Sequence, residues 1–312
     1  MDIMRHTIEE EIMNLPHRDK LVALFNNPKL SESDLKRKDE VFSRYENWMA
    51  DLKDEKSTAD QYLAKLVDAT NKYKNYIDLE FIFSSDSDFL YRQKGQLKLD
   101  NTILEECLPF LVDKRLVSGA FAKSNYFVGD VGCYAGLSFG TWLSEEPEDR
   151  IFIKQKNQDF AVGKSVEIKI TDGDYIDSRE VNIAYFAAEL KTNLDKTMFQ
   201  EASATARELK ANVQNSKYYL VCEWLDMTPI DSSTTSIDAV IVLRKQKRMS
   251  SNKRSSYSSV KGRKENYVEY KKFIEENPLD IDMFKFLVQV LNTAIPIPNH
   301  DSKEEKLERG YF

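Results

Sequence analysis

Residues 181–191 read Val-Asn-Ile-Ala-Tyr-Phe-Ala-Ala-Glu-Leu-Lys, an apolar run that becomes charged only at its end. The run suits a partly buried strand, and strand patterns surround it. Before it, Ile151-Phe-Ile-Lys, Phe160-Ala-Val and Ser165-Val-Glu-Ile-Lys-Ile alternate apolar with polar residues, and Thr171-Asp-Gly-Asp supplies turn chemistry. After it, residues 195–209 shift to a helical period, and 217–224 and 237–244 read as buried strands. The order strand, strand, helix, strand, strand predicts an α/β (mixed α+β) fold, a mixed sheet flanked by helices.

The first ~80 residues read differently. Ser31-Glu-Ser-Asp precedes a charged stretch in which Leu35, Val41, Phe42, Tyr45, Trp48 and Met49 recur at helical spacing. A second run follows Thr58 with Tyr62, Leu63, Leu66, Val67 and Tyr73. This predicts an N-terminal helical region with a solvated outer face. Five of the ten glycines (119, 129, 132, 136 and 140) then fall within 22 residues, without any phosphate-cradling spacing, so turns or close helix packing are expected there.

Several function classes drop out. Cys107, Cys133 and Cys222 are isolated and odd in number, against a disulfide framework or zinc knuckle. His6, His17 and His300 lie far apart, against a histidine metal site or a Ser-His-Asp triad. No apolar run approaches the ~20 residues that cross a bilayer. The opening Met1-Asp-Ile-Met-Arg-His shows no signal-peptide plan, so a cytoplasmic protein with no membrane partner is expected. The net charge is -7, but residues 244–264 hold nine Lys and Arg and no acidic residue, a local footprint for phosphate.

Glu189 and Lys191 stand two apart and so share one face of their strand. A hairpin turn between Asp172 and Ser178 would fold 160–170 against 181–191 and carry Asp159 to their side. Two carboxylates and the Leu190 carbonyl could then hold Mg²⁺, with Lys191 managing the attacking water or the developing oxyanion. Asp174 and Asp177, 15 and 12 residues before Glu189, are rivals for the first carboxylate, but they fall in the polar turn. Glu167-Ile-Lys169 has the same spacing as Glu189-Leu-Lys191 and is expected on a solvated strand face. Glu201, with Gln200 beside it on the following helix, is a further candidate near the metal or Lys191.

Asp159 followed by Glu189-Leu190-Lys191 resembles the PD-(D/E)xK signature of restriction-endonuclease-like nucleases, with Gln158 in place of the proline. More narrowly, Asp159-Phe-Ala-Val-Gly and Glu189-Leu-Lys-Thr-Asn-Leu-Asp-Lys-Thr-Met resemble type II restriction endonucleases of the Bpu family, most clearly over 155–245. The resemblance implies a restriction-endonuclease-like core at 111–312, following a helical region at 1–110 that contacts DNA or a partner subunit. It also implies a two-subunit enzyme, homo- or heterodimeric, cutting double-stranded DNA at an asymmetric site built around CTNAG. The expected reaction is Mg²⁺-dependent hydrolysis giving 5′-phosphate ends, with Asp159, Glu189 and Lys191 catalytic. Arg244, Lys247, Arg248, Lys253, Arg254 and Lys261 of a flexible basic loop, 244–264, are the expected DNA contacts. A repair or junction nuclease on the same core, and a non-catalytic DNA-binding or assembly protein, are the competing expectations.

Overall fold

The computed structural model of the chain describes residues 14–117, 126–140, 151–172 and 174–294. α1 (Pro16–Phe25) carries proline in its first turn, where a missing N–H leaves nothing unpaired. Its next amides, those of His17 and Arg18, donate to Glu106 Oε2 at 2.9 and 3.2 Å. Short α2 (Glu32–Leu35), capped by Ser31, ends before α3 (Lys38–Leu52) begins. The helical run expected from Ser31 is therefore broken, and Leu35 is 46% exposed rather than part of the apolar stripe. Val41, Tyr45, Trp48, Met49 and Leu52 bury the inner face of α3.

α4 (Ala59–Asn75) starts at a capping box of Thr58 and Gln61 and stacks its Tyr73 ring on Trp48 at 4.7 Å. It runs on as a π-helical segment, Tyr76–Phe83, with six of eight side chains buried. That segment is mostly apolar because it has neighbours on two sides. Its Leu79 and Phe83 pack with Trp224, Tyr257 and Tyr270, while Ile77, Phe81 and Ile82 join the helical core. α5 (Asp88–Arg92), α6 (Lys94–Leu97) and α7 (Leu99–Cys107) complete the region.

The sheet holds β1 (Phe127–Phe139), β2 (Ile151–Asp172), β3 (Tyr175–Leu194), β4 (Lys217–Leu225) and β5 (Ala239–Val242), in that order. The first two pairings are antiparallel and the last two parallel. α8 (Lys196–Asn212) makes the crossover that parallel β3 and β4 require. The strand patterns read separately over 151–170 are one continuous strand. Its turn is tighter than expected: Asp172 pairs with Tyr175, and Asp177 lies inside β3 opposite Ile170.

The glycine cluster also differs from expectation. Gly129, Gly132 and Gly136 lie in β1, not in turns or helix contacts, and the ladder slips beside Gly129 and Gly136. Gly129 has φ 127°, a conformation that the irregular ladder demands and glycine supplies at least cost. Gly119 lies outside the described residues. At Gly163 the constraint is space, since a Cβ there would meet the Ile183 carbonyl oxygen at 2.0 Å.

Period-2 alternation sends the two faces of the sheet to different layers. Phe160, Val162, Phe186, Ala188, Leu190, Tyr219 and Val221 pack with the N-terminal helices. Ala161, Ala184, Ala187, Tyr218, Leu220 and Cys222 pack with Phe199, Ala202, Ala206 and Leu209 of α8. Helices and sheet therefore share one continuous core across residue 110. All three cysteines are buried and free. Among the described residues no helix is long and apolar enough to cross a membrane.

The basic segment 244–264, expected as a flexible loop, is folded. It forms α9 (Ser251–Ser256) and opens α10 (Val260–Glu276), whose Gly262 N–H donates to Ser259 Oγ. Arg263 is buried and donates to the carbonyls of Phe83, Ser85 and Ser87. α11 (Ile281–Ala294) closes the helical core with Phe284, Leu287 and Leu291.

One ionic triad crosses from helix to sheet. Glu223 of β4 lies 2.7 Å from Lys74 Nζ of α4 and 3.1 Å from Arg244 Nε, and all three side chains are 2–3% exposed. Removing the shared carboxylate leaves two buried cations without their partner. Glu223→Ala is expected to cost about 4 kcal/mol of unfolding free energy in urea titrations. An unchanged urea midpoint would contradict this role for the triad.

Candidate active site

The β2–β3 ladder ends with Phe160 opposite Ala188. One residue farther out, Asp159 Oδ2 accepts the Leu190 N–H at 2.7 Å, taking the place that a backbone carbonyl would hold in a longer ladder. Glu189 and Lys191 flank that amide. Their side chains share a face, with Lys191 Nζ 2.7 Å from Glu189 Oε1 and exposures of 28% and 21%. Tyr218 of β4 donates its O–H to Glu189 Oε2 at 2.9 Å. The structure thus brings together Asp159, Glu189 and Lys191, residues 30 positions apart in sequence, at one end of the hairpin.

The electrostatics follow from burial and close charges. Burial and the charge of Glu189 raise the Asp159 carboxyl pKa, against the pull of the Leu190 amide and Lys191. Burial disfavours the Lys191 ammonium, but its hydrogen bond to Glu189 and the charges of Glu189, Asp159 and Glu201 outweigh it and hold the pKa high. Burial and the adjacent Glu189 also hold the Tyr218 phenol protonated, so it remains a donor.

Glu105 of α7 joins this cluster without any sequence-level warning. It is only 8% exposed and accepts a hydrogen bond from Asn101 Nδ2 at 2.5 Å. Burial, reinforced by Asp159, lifts its carboxyl to about 7. Asp130 of β1 adds its charge to Glu105, and Lys98 acts on Glu105, Asp130 and Asp159. In sequence Glu105 is one of two glutamates near a helix end; only its packing against the sheet distinguishes it.

The other acidic candidates lie elsewhere. Asp174 is exposed in the turn and Asp177 pairs with Arg179 at 2.5 Å. Ile170, opposite Asp177, is about 36 Å of extended strand from Asp159. Glu167 and Lys169 form an exposed pair, as expected of that strand face. Glu201 and Gln200 are exposed on α8, and Glu201 acts on Lys191 through its charge.

A cleft of about 740 Å³ opens at Asp159, Leu190 and Lys191 and is lined also by Lys98, Arg248 and Arg254. Arg248 and Arg254 both reach Asp226. Arg244 must be withdrawn from the DNA contacts. It is buried, pairs with Glu223, donates to the Asn277 carbonyl at 2.6 Å and lies 4.8 Å over the Trp224 ring. Lys247, Lys253 and Lys261 are exposed, the last two paired with Glu269 and Glu265.

Among the described residues no three His, Cys, Asp or Glu side chains form a ready metal cluster. The donors at hand nevertheless fit Mg²⁺, which binds through one or two carboxylates and completes its shell with waters and substrate oxygens. Asp159 and Glu189 supply two hard oxygen donors whose mutual repulsion a cation would relieve. On an extended strand a residue's N–H and C=O point to the same side. The Leu190 carbonyl therefore faces Asp159, as its amide does, beyond the last β2–β3 pair.

The model of the Bpu10I restriction endonuclease family matches residues 96–312, well over half of the chain. The match is wider than the 155–245 stretch where the sequence resemblance is clearest, and it reaches back into the last N-terminal helices. A solved structure described as the native BbvCI A2B2 tetramer at low resolution is similar in fold. It is 19% identical, covers 91% of this chain and 97% of its own, and has a TM-score of 0.57. No curated protein matches the sequence.

Glu105 provides a test of the acidic cluster. Its carboxyl is lifted from 4.5 to about 7, so the folded protein holds that proton more tightly than the unfolded chain. The resulting stability is fully present below pH 4.5 and is lost as pH rises through about 7. Urea midpoints of the parent should fall over that window, and those of Glu105→Gln should fall less. Identical pH profiles would contradict the shift and its cause.

Proposed function

The chain belongs to the Bpu10I restriction endonuclease family, and we propose that it is a Mg²⁺-dependent type II enzyme subunit that cuts double-stranded DNA at a specific site. The observation that carries this reading is the junction at Leu190. There one amide seats the Asp159 carboxylate beside the Glu189–Lys191 pair, and Asp159 and Lys191 line a cleft together with two arginines. Family membership favours site-specific cutting over repair or junction cleavage on the same core.

Asp159, Glu189 and the Leu190 carbonyl are the proposed metal ligands. Bound Mg²⁺ would supply a Lewis acid that lowers the pKa of the attacking water and neutralises charge on the phosphate. Lys191 enters as an ammonium, because its carboxylate neighbours hold its pKa high. It therefore acts by donating to the attacking water or a phosphate oxygen and by stabilising the developing negative charge, rather than as a base. Tyr218 fixes Glu189 by its hydrogen bond, and Glu201 steers Lys191 by charge. Water attacks phosphorus and gives its proton up to bulk water, the bond to the 3′ oxygen breaks, and that oxygen takes up a proton from bulk water, leaving 5′-phosphate and 3′-hydroxyl ends.

Arg248, Arg254, Lys247, Lys253 and Lys261 are the proposed backbone contacts; Lys and Arg at such positions neutralise phosphates and fix register on the duplex. The A2B2 description of the similar solved structure supports a second subunit here, homo- or heterodimeric. The helical region 1–110 would add DNA or subunit contacts to the 111–312 nuclease domain. A cytoplasmic setting accords with this duty.

The test is incubation of the purified protein with long duplex DNA in Mg²⁺ or EDTA, beside Asp159→Ala and Lys191→Ala. Discrete fragments should form only with Mg²⁺. Either substitution should slow cleavage by about 10²–10³-fold or more, the scale of losing a group that stabilises transition-state charge. Breaks confined to one strand would indicate a missing partner subunit. DNA binding without any break, in well-folded protein, would favour a non-catalytic DNA-binding protein. Cleavage that survives in EDTA or in Lys191→Ala would contradict the assignment.

A further inference from the structure

Arg248 and Arg254 come to the cleft from different elements and converge on one oxygen. Arg248 follows the short pairing of Leu225 with Lys247, and Arg254 lies in α9. Arg248 Nη1 is 2.9 Å and Arg254 Nη2 3.5 Å from Asp226 Oδ2. Arg254 is further fixed by its Nε–H, which donates to the Met249 carbonyl at 2.9 Å. Asp226 stands one residue beyond β4, and its own N–H donates to the Leu194 carbonyl at 2.8 Å. That bond ties it to the end of β3, three residues past Lys191. Asp226, Arg248, Arg254 and Lys191 all line the same cleft.

A single carboxylate thus sits between two guanidiniums and leaves one positive charge uncompensated. All three side chains are about a third exposed, at 34, 31 and 29%. Ion pairs this open contribute little to folding stability, so stability does not account for bringing two arginines to one acceptor. A carboxylate presents guanidiniums with the paired oxygens and negative charge that a backbone phosphate also presents.

We propose that Asp226 is a stand-in anion that assembles Arg248 and Arg254 into a cradle for one DNA phosphate and yields to that phosphate when the duplex enters. The inference rests on the nuclease reading above and adds a positioning residue to it. Asp226 then has two opposed effects. It holds the guanidiniums where chemistry needs them, and it competes with the phosphate for them. Removing its charge should strengthen binding while weakening cleavage, a split that a merely structural side chain does not produce.

The experiment measures affinity of the full chain for a fluorescent duplex in EDTA across a salt series, together with single-turnover cleavage in Mg²⁺. The proteins are the parent, Asp226→Asn, Asp226→Glu and the double variant Arg248→Ala/Arg254→Ala. Each neutralised phosphate contributes a slope of about -0.9 in log affinity against log salt. Asp226→Asn should steepen the slope by about one unit, bind several-fold more tightly and cleave about tenfold more slowly. Asp226→Glu, which restores the charge, should return the slope toward the parent. The double variant should flatten the slope by about one unit.

An Asp226→Asn slope equal to the parent's overturns the proposal, whatever happens to cleavage. An unchanged cleavage rate overturns the positioning role. A parent that binds DNA but never cuts it would fail the nuclease reading alone, because the slopes still decide the cradle. A parent that does not bind DNA overturns both.

Discussion

The candidate site depends on where one antiparallel ladder stops. Phe160 pairs with Ala188, and the next inward-facing amide on β3, that of Leu190, meets a side chain instead of a backbone carbonyl. A ladder one pair longer would fill that position with main chain and leave Asp159 to solvent. A one-residue slip would turn Glu189 and Lys191 to the opposite face and bury them against the N-terminal helices. The register is held firmly because both faces of β3 are packed: Phe186, Ala188 and Leu190 on one side, Ala184 and Ala187 on the other. Ordinary core packing therefore determines the geometry of the charged groups to within one hydrogen bond.

Around that junction the protein buries several ion pairs. Lys74, Glu223 and Arg244 cross from the helical layer into the sheet, while Lys94, which lines the cleft with Asp100, joins Asp78 and Asp100. Buried charges are costly alone and tolerable in such groups, and they penalise any arrangement that separates the members. Here they fix the helices against the strand ends that line the cleft. The N-terminal helices are accordingly part of the site's wall, through Lys98, Asp100 and Asn101, as well as part of its support.

Much of this was legible in the sequence where local pattern and tertiary packing agree. The apolar run of β4, the helical run after Thr58 and the turn chemistry near 172 each name an element correctly. The pairing of Asp159 with Glu189 and Lys191 follows once the hairpin is drawn. What could not be read has a common cause: residues whose surroundings come from distant parts of the chain. Glu105 looks like any helical glutamate until α7 is laid on the sheet. The serine-rich basic segment has the composition of a flexible loop, yet its Ser259 caps a helix and its Arg263 fills a nest of carbonyls. Arg244 has the composition of a DNA contact, but Glu223 in the middle of a buried strand needs a cation and takes it. The glycines of β1 suit turns or close helix packing by their spacing, yet a bulged edge strand uses the same residue for the same conformational reason.

The metal position is the most direct test of the proposed site. Crystals of the protein soaked with Mn²⁺, which accepts the oxygen ligands suited to Mg²⁺, would locate the ion by its anomalous scattering. The expected peak is bonded to the carboxylates of Asp159 and Glu189, with the Leu190 carbonyl in its shell and Lys191 beside it. A peak elsewhere in the cleft, with these carboxylates still holding only Leu190 N–H, Tyr218 and Lys191, would contradict it.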